Sequence, residues 1–208
     1  DLDLWDSTIV IFTTDHGMSL GEHNRTGKSN INDRDNRRWP LYPEVAHIPF
    51  LIAAPGITGG ETRDLLAQPV DILPTLIELS GLEVDVPAPF HGRSFAPSLR
   101  GETQGPLRDF AICGCFLRLK EGKVPSNAST PVIYSHKWAY APIGPTGAAE
   151  LFDLENDPYA EVDLAAEHPD VAEKMQQQLI QWLRDLGAPE EAIEVYAQST
   201  NTEGTNLC

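Results

Sequence analysis

Two metal-binding residue types, Asp15 and His16, stand side by side directly after an apolar run in this 208-residue chain. A carboxylate and an imidazole can ligate one divalent cation together, and Gly17 behind them permits a sharp turn. A second interpretation is open at this point, in which Asp15 caps a turn and His16 is a surface residue. The residues around the pair favour neither interpretation by themselves.

Positive charge is concentrated in the polar loop that follows Gly17. The formal net charge of the chain is −16, yet positive charge is concentrated between residues 28 and 38, at Lys28, Arg34, Arg37 and Arg38. Loops of this length inside a domain are usually functional or disordered. The simpler interpretation is a solvated insertion, and the more specific one is that the loop helps to form an anion site.

Strands must position these side chains. Residues 8–14 form a β-branched and aromatic run that predicts a strand buried in the middle of a sheet, and residues 48–54 predict a second buried strand that ends at Pro55. Ligands of open α/β sheets bind beyond the carboxyl ends of the strands, which is where Asp15 and His16 fall. Residues 71–81 predict a helix with Asp71 as its N-cap and Gly81 at its end.

The second half of the chain predicts a different architecture. Short strand candidates separated by turns indicate a small antiparallel sheet, at residues 110–117, 131–135, 137–140 and 150–154. An amphipathic helix from Pro169 to Leu186 and a short helix over 190–196 follow. We therefore predict an α/β catalytic part over residues 1–104 and a C-terminal α+β subdomain over residues 105–208.

Composition excludes several classes of protein. No apolar run is long enough to span a bilayer, and the acidic charge argues against a nucleic-acid partner. The three cysteines, Cys113, Cys115 and Cys208, do not make a disulfide framework, and they leave the compartment undetermined. Bacterial cytoplasm and periplasm are both compatible with such a chain.

Six sequence signals resemble, in order, those of the sulfatases of the alkaline phosphatase superfamily. They are FTTDHG at 12–17 followed by LGEH at 20–23, GK at 27–28, HIPFLI at 47–52 with PG at 55–56, QPVDILPTL at 68–76, HGRS at 91–94 and ELFDLENDP at 150–158. The resemblance implies part of an alkaline-phosphatase-like sandwich with a mostly parallel sheet, followed by the small antiparallel sheet packed with a C-terminal helix. It also implies a sulfuric ester hydrolase acting on a small-molecule sulfate ester.

The resemblance assigns roles to four residues. Asp15 and His16 match the second pair of ligands for a divalent metal ion, calcium in most members, although an imidazole also suits manganese or zinc. Lys28 matches the catalytic lysine that binds the sulfuryl oxygens of the ester. His23 is a further substrate-binding candidate, with support of neighbouring groups or of the loop as the alternative.

Two departures from the family pattern matter. The motif that yields the formylglycine nucleophile from Cys or Ser is absent, and so is the first pair of metal-binding aspartates. The chain therefore resembles the C-terminal portion of a sulfatase, and we expect its partner to be the missing N-terminal part and the isolated chain to be inactive. The interval from Lys28 to Tyr42 is also longer than expected, so Arg34, Arg37 or Arg38 is predicted to meet a second anionic group of the substrate.

Two rival functions stay open. A phosphonate monoester or phosphodiester hydrolase of the same superfamily shares the Asp-His pair and the lysine. A non-catalytic structural or binding module is favoured if the chain is complete in nature, because the nucleophile is absent.

Overall fold

The computed structural model describes residues 2–28, 37–85, 90–103, 105–114 and 129–198. The contacts within the chain group its residues into two compact units. Unit 1 comprises Asp1–Thr14 and Pro49–Ala111, and unit 2 comprises Asp15–Ile48 and Ile112–Cys208. The units are discontinuous in sequence, whereas the predicted domains 1–104 and 105–208 are contiguous. The predicted domain boundary stays a prediction.

Besides three 3₁₀ helices at Trp5–Ser7, Glu22–Asn24 and Pro69–Asp71, the described structure consists of short strands and five α-helices. In chain order they are β1 (Val10–Thr13), β2 (Ser19–Leu20), β3 (Thr26–Gly27), β4 (Trp39–Pro40), α1 (Pro43–Ala46), β5 (Phe50–Ala53), α2 (Ile72–Ser80), α3 (Ala96–Leu99), β6 (Ala111–Cys113), β7 (Ser129–Thr130), β8 (Val132–Tyr134), β9 (Trp138–Ala141), β10 (Glu150–Asp153), α4 (Pro169–Asp185) and α5 (Glu190–Ala197). The predicted loop after Gly17 thus contains the short strands β2, β3 and β4.

The two predicted strands of unit 1 pair with each other. β1 and β5 are antiparallel, with Phe12 opposite Leu51 and Val10 opposite Ala53, so the expected mostly parallel sheet is not confirmed. The expectation of burial on both faces is wrong for the described residues, because Phe12 is 65% and Leu51 60% exposed. An apolar run predicts a strand, but the direction and cover of that strand depend on residues far away in sequence.

A buried ion pair organises the helical part of unit 1. The Asp71 carboxylate is fully buried and accepts two hydrogen bonds of 2.6 Å from the Arg108 guanidinium. It also accepts the backbone N–H groups of Gln68 at 2.6 Å and Arg93 at 2.7 Å. Asp71 precedes α2 as predicted, and Gly81 ends that helix in the left-handed conformation. The Asp71 side chain, however, ties three chain segments together and accepts no hydrogen bond from the backbone N–H groups of α2.

The core of unit 2 lies under a four-stranded sheet. Its strand order is β10-β9-β8-β6, and β9 pairs antiparallel with both β10 and β8. Buried side chains of α4 include Met175, Leu179 and Leu183, which follow the predicted helical spacing. The predicted small antiparallel sheet with its C-terminal helix is confirmed. Among the described residues, no helix is both long and apolar enough to cross a bilayer.

Candidate functional site

The turn that carries Asp15 and His16 is fixed through Gly17. The Gly17 N–H donates to the Val45 carbonyl at 2.8 Å, which joins the turn to the end of α1. A Cβ on Gly17 would lie 2.0 Å from the Glu44 carbonyl oxygen, a distance that no side chain tolerates. Glycine is therefore required here by the close approach of two backbone segments.

Hydrogen bonds of the His16 ring define its tautomer. Nδ1 lies 2.8 Å from the Gly17 carbonyl, which only accepts, so Nδ1 carries a proton. Nε2 lies 2.7 Å from the Lys28 ammonium, which only donates, and 3.3 Å from an Asp15 carboxylate oxygen, which only accepts; the shorter contact, to Lys28, favours a lone pair on Nε2. A ring whose Nδ1–H is held by a backbone carbonyl and whose Nε2 is an acceptor has the form that metal-binding histidines use.

Asp15 lies beside that lone pair. One carboxylate oxygen accepts the His16 backbone N–H at 3.0 Å, and the other is 3.3 Å from His16 Nε2. The carboxylate is 80% exposed and the imidazole 30%, so a cation has access to both. Within the described residues, no group of three or more His, Cys, Asp or Glu side chains could hold a metal ion. The pair thus fits a metal ion as two ligands, and further ligands are needed.

A small hairpin delivers Lys28 to the same place. β2 and β3 pair antiparallel, with Ser19 opposite Gly27, and Gly21 in the connecting turn has a φ of 142°. Because Lys28 directly follows β3, the hairpin returns it to the start of β2, next to His16. The structure therefore brings together three of the four predicted site residues: Asp15, His16 and Lys28.

His23, the fourth predicted site residue, lies in the turn of that hairpin. Its Nδ1 is 3.0 Å from Glu44 Oε1 and its Nε2 is 2.8 Å from the Ala160 carbonyl. The ring stacks on Tyr42 with centroids 3.8 Å apart and an interplanar angle of 7°. Both nitrogens are engaged by the protein, which favours the supporting role among the two that the sequence left open; a substrate contact stays a prediction.

The arginines of the loop occupy different environments. Arg34 lies outside the described residues, and Arg37 is exposed, with its guanidinium donating to the Asn24 carbonyl at 3.2 Å. Arg38 is half-buried, and burial lowers the pKa of its guanidinium. Its backbone N–H donates to the Pro145 carbonyl at 3.4 Å. Contact of these arginines with a second anionic group of the substrate stays a prediction.

Sequence reasoning missed two residues that support the site, Arg25, which is buried, and Glu44, which is largely buried. Glu44 accepts Ser19 Oγ at 2.8 Å as well as the His23 ring, and Arg25 places its guanidinium 4.3 Å from the centroid of the Trp39 ring. Arg25 lies in the predicted polar loop, and Glu44 lies shortly after it. Their sequence positions carry no signal of burial, because the partners that bury them are distant in sequence.

Comparison with protein families adds the decisive observation. The model of the family described as Sulfatase matches residues 1–82, which include Asp15, His16, His23 and Lys28. The chain belongs to the sulfatase family. It is similar to Arylsulfatase K of Rattus norvegicus, with 31% identity over 181 residues, covering 86% of this chain and 30% of the relative. It is also similar to Delta 4,5-hexuronate-2-O-sulfatase of Bacteroides thetaiotaomicron, with 30% identity over 162 residues, 76% of this chain and 31% of the relative.

Solved structures match the fold of most of the chain. A structure described as a 2-O GAG sulfatase matches with a TM-score of 0.66 and 24% identity, over 90% of this chain and 40% of that one. The phosphonate monoester hydrolase of Agrobacterium radiobacter matches with a TM-score of 0.62 and 28% identity, over 88% of this chain and 36% of that one. The fold is thus alkaline-phosphatase-like. The chain spans 30–32% of the length of the arylsulfatases that it matches.

Proposed function

We propose that the chain is the C-terminal portion of a metal-dependent sulfuric ester hydrolase that acts on a small-molecule sulfate ester. One observation supports this most: Nε2 of His16 lies beside the Asp15 carboxylate and the Lys28 ammonium. The turn that carries these residues lies within the part of the chain that the Sulfatase family model matches. Two ligands and one cation at the end of a strand suit the binding of a charged ester. Chemistry on the ester needs groups that these residues do not supply.

Asp15 and His16 would hold the metal ion in this proposal. A hard carboxylate and an imidazole are compatible with calcium, and with manganese or zinc. The metal, when bound, supplies Lewis-acid stabilisation of charge on the ester oxygens. The remaining ligands and the formylglycine nucleophile are assigned to the N-terminal part of the parent protein. The 208-residue chain by itself therefore lacks turnover.

Lys28 would bind the sulfuryl oxygens and act as the catalytic cation. Its ammonium is exposed and lies at the end of β3, so it can meet an anionic group from solvent. A compact cation stabilises negative charge that develops on the leaving oxygen and on the transferred group. Its proximity to His16 places this charge next to the proposed metal ligand.

The N-terminal part of the parent protein is the proposed partner of unit 1. Phe12 and Leu51 are cross-strand neighbours on one face of the β1–β5 pair, and Val10, two residues before Phe12, is also exposed. Apolar side chains arranged in this way usually mark an interface. The relatives are about three times as long as the chain, so the proposed occupant is the additional sulfatase sequence.

A test of the metal role uses the chain and manganese as a paramagnetic probe. Substoichiometric Mn²⁺ should broaden the NMR signals of Asp15, His16 and Gly17 more than those of other residues, because the ion binds at the pair. Asp15→Asn should abolish this local broadening, whereas Asp6→Asn, at an exposed residue, should leave it unchanged. Broadening that is uniform, or that survives in Asp15→Asn, would contradict the proposed ligands.

A second function, phosphonate monoester or phosphodiester hydrolysis, is favoured by the 28% identity to the Agrobacterium radiobacter enzyme. In a full-length protein that contains this chain, rates on a sulfate ester and a phosphate ester of one alcohol separate the two. A higher kcat/KM for the sulfate ester supports the main proposal. The chain alone should hydrolyse 4-nitrophenyl sulfate no faster than buffer, and turnover abolished by EDTA would contradict the assigned role of the N-terminal part.

A further inference from the structure

The His23 imidazole is held by two acceptors at once. Its Nδ1 faces the Glu44 carboxylate at 3.0 Å and its Nε2 faces the Ala160 carbonyl at 2.8 Å. Neither a carboxylate nor a carbonyl can donate, so both ring nitrogens must carry protons. His23 is thus an imidazolium in this arrangement, with its face covered by Tyr42.

Glu44 connects this cation to the turn that carries the proposed metal ligands. Its Oε1 accepts both His23 Nδ1 and Ser19 Oγ, the latter at 2.8 Å. Its backbone carbonyl lies against Gly17, and the next carbonyl, that of Val45, accepts the Gly17 N–H. The side chain and the backbone of one helical turn, α1, therefore contact both ends of the segment 17–19.

The other contacts of His23 are anchored in the core. Tyr42 and Ala160 belong to one buried cluster of unit 2, together with Val132 and Phe152. Ala160 is 137 residues from His23 in sequence, so their hydrogen bond ties the hairpin to a distant loop. A side chain fixed to a packed core transmits position better than one in a mobile loop.

The backbone conformations at both ends of this bridge are unusual. His23 has a φ of 52° and Ala160 a φ of 55°, in the left-handed region that disfavours residues other than glycine. Such conformations persist where the surrounding structure requires them, and they are concentrated at functional sites. The bridge is therefore maintained against local backbone preference.

We propose that His23 is a positioning residue, which as an imidazolium bridging Glu44 and the Ala160 carbonyl fixes α1 against Gly17 and so orients Asp15 and His16. The inference rests on the proposed metal role of Asp15 and His16 for its functional meaning. The geometric part, control of the Gly17 contact by His23, stands on the hydrogen bonds alone. His23 needs no contact with substrate in this role.

The electrostatic surroundings agree with a charged ring. Burial opposes the imidazolium, but the hydrogen bonds to Glu44 and Ala160 and the negative charges of Glu44 and Glu150 outweigh it, so the pKa of His23 is raised. The titratable and charged groups around this cluster are Glu44, Tyr42, Glu150 and Arg25, and Tyr42 donates to Glu150 Oε2 at 2.6 Å. The bridge should therefore be fully present below the ordinary imidazole value of 6.5 and be lost as pH rises through the raised pKa of His23.

Amide hydrogen exchange of Gly17 tests the proposal on the intact chain, because its N–H is the group that donates to Val45. His23→Phe keeps an aromatic ring over Tyr42 and removes both donors. We expect it to lower the Gly17 protection factor at pH 6 at least tenfold, whereas His91→Phe, at an exposed histidine, leaves it unchanged. Glu44→Gln, which keeps the shape of the side chain and removes its charge, is expected to lower it as well.

The wild-type chain provides a readout that needs no variant. The Gly17 protection factor should fall as pH rises, with the same midpoint as the His23 ring resonances. A Gly17 protection factor that does not change as His23 titrates, or that is unchanged in His23→Phe, would overturn the proposal. Perturbation of the His23 ring by added inorganic sulfate at constant Gly17 protection would also overturn it, in favour of substrate contact. If the Gly17 protection factor follows the His23 titration but Mn²⁺ does not broaden the signals of His16, the positioning of the turn is supported and the metal role is refuted.

Discussion

The Lys28 ammonium lies 2.7 Å from the Nε2 lone pair of His16. A divalent cation bound to this lone pair would be repelled by the positive charge of Lys28. Nε2 also cannot bind the cation and accept the hydrogen bond from Lys28 at the same time. We therefore expect Lys28→Met to tighten Mn²⁺ binding by the isolated chain severalfold, because removal of a nearby like charge lowers the electrostatic cost. The concentration dependence of paramagnetic broadening at Asp15 measures this effect.

Lys174→Met is the matched control for that prediction, since Lys174 is an exposed residue of α4 in the same unit. It removes the same charge from the chain at a position with no role in the site. Equal tightening in both variants would show a general effect of net charge. In a full-length sulfatase the same Lys28→Met substitution should instead lower kcat/KM for sulfate esters.

Gly17→Ala should destabilise the turn that carries Asp15 and His16. The added Cβ would lie 2.0 Å from the Glu44 carbonyl oxygen, a backbone atom that cannot move without α1. Overpacking of this kind costs about 1–3 kcal/mol of unfolding free energy. Urea denaturation measures the loss, and Gly59→Ala, where nothing lies within 4 Å, is the matched control. Equal midpoints for the two variants would contradict the close approach.

Asp71→Asn tests the buried ion pair of unit 1. It removes the charge that faces Arg108 and one of two acceptor oxygens, and leaves a largely buried guanidinium without its counter-ion. Breaking such a pair costs about 3–5 kcal/mol. Glu78→Gln breaks the more exposed pair with Arg100 and should cost less than about 1 kcal/mol. Similar losses of unfolding free energy in both variants would refute the organising role of Asp71.

Stability should depend on pH through His23 and Glu44. The pKa of His23 is raised, so its contribution is fully present below the ordinary value of 6.5 and is lost as pH rises through the folded-state pKa. Burial opposes the Glu44 carboxylate, but hydrogen bonds from His23 and Ser19 outweigh this and lower its pKa. Its contribution is present above the ordinary value of 4.5 and is lost as pH falls through the folded-state pKa.

The unfolding free energy of wild type minus that of His23→Phe should therefore be largest between about pH 4.5 and 6.5 and decrease on both sides. Denaturant titrations at several pH values measure this difference. Taking the difference reduces the opposite trend expected of groups such as Glu150, whose pKa is raised chiefly by burial. A difference that stays constant from well below pH 4.5 to well above pH 6.5 would contradict the charged bridge.

The exposed apolar face of unit 1 should bind hydrophobic molecules from solution. Phe12→Ser with Leu51→Ser should reduce binding of the hydrophobic dye ANS by the isolated chain, because the two side chains are adjacent and exposed. Val162→Ser, at an exposed apolar residue of unit 2, should have little effect. In a full-length sulfatase the double substitution should lower stability. Unchanged dye binding would argue against an interface at this face.

The sequence by itself determined which residue types follow the first strand and where α4 begins and ends. It also determined the family whose motifs contain Asp15, His16 and Lys28. These features depend on local spacing and turn chemistry, which a short stretch of chain contains in full. It did not determine that β1 and β5 are antiparallel and exposed, because strand pairing depends on distant residues. The tertiary structure alone decided the proton position on His16 and the partners of His23. Those depend on which acceptors the fold brings to each ring nitrogen, and Ala160 reaches His23 across 137 residues of sequence.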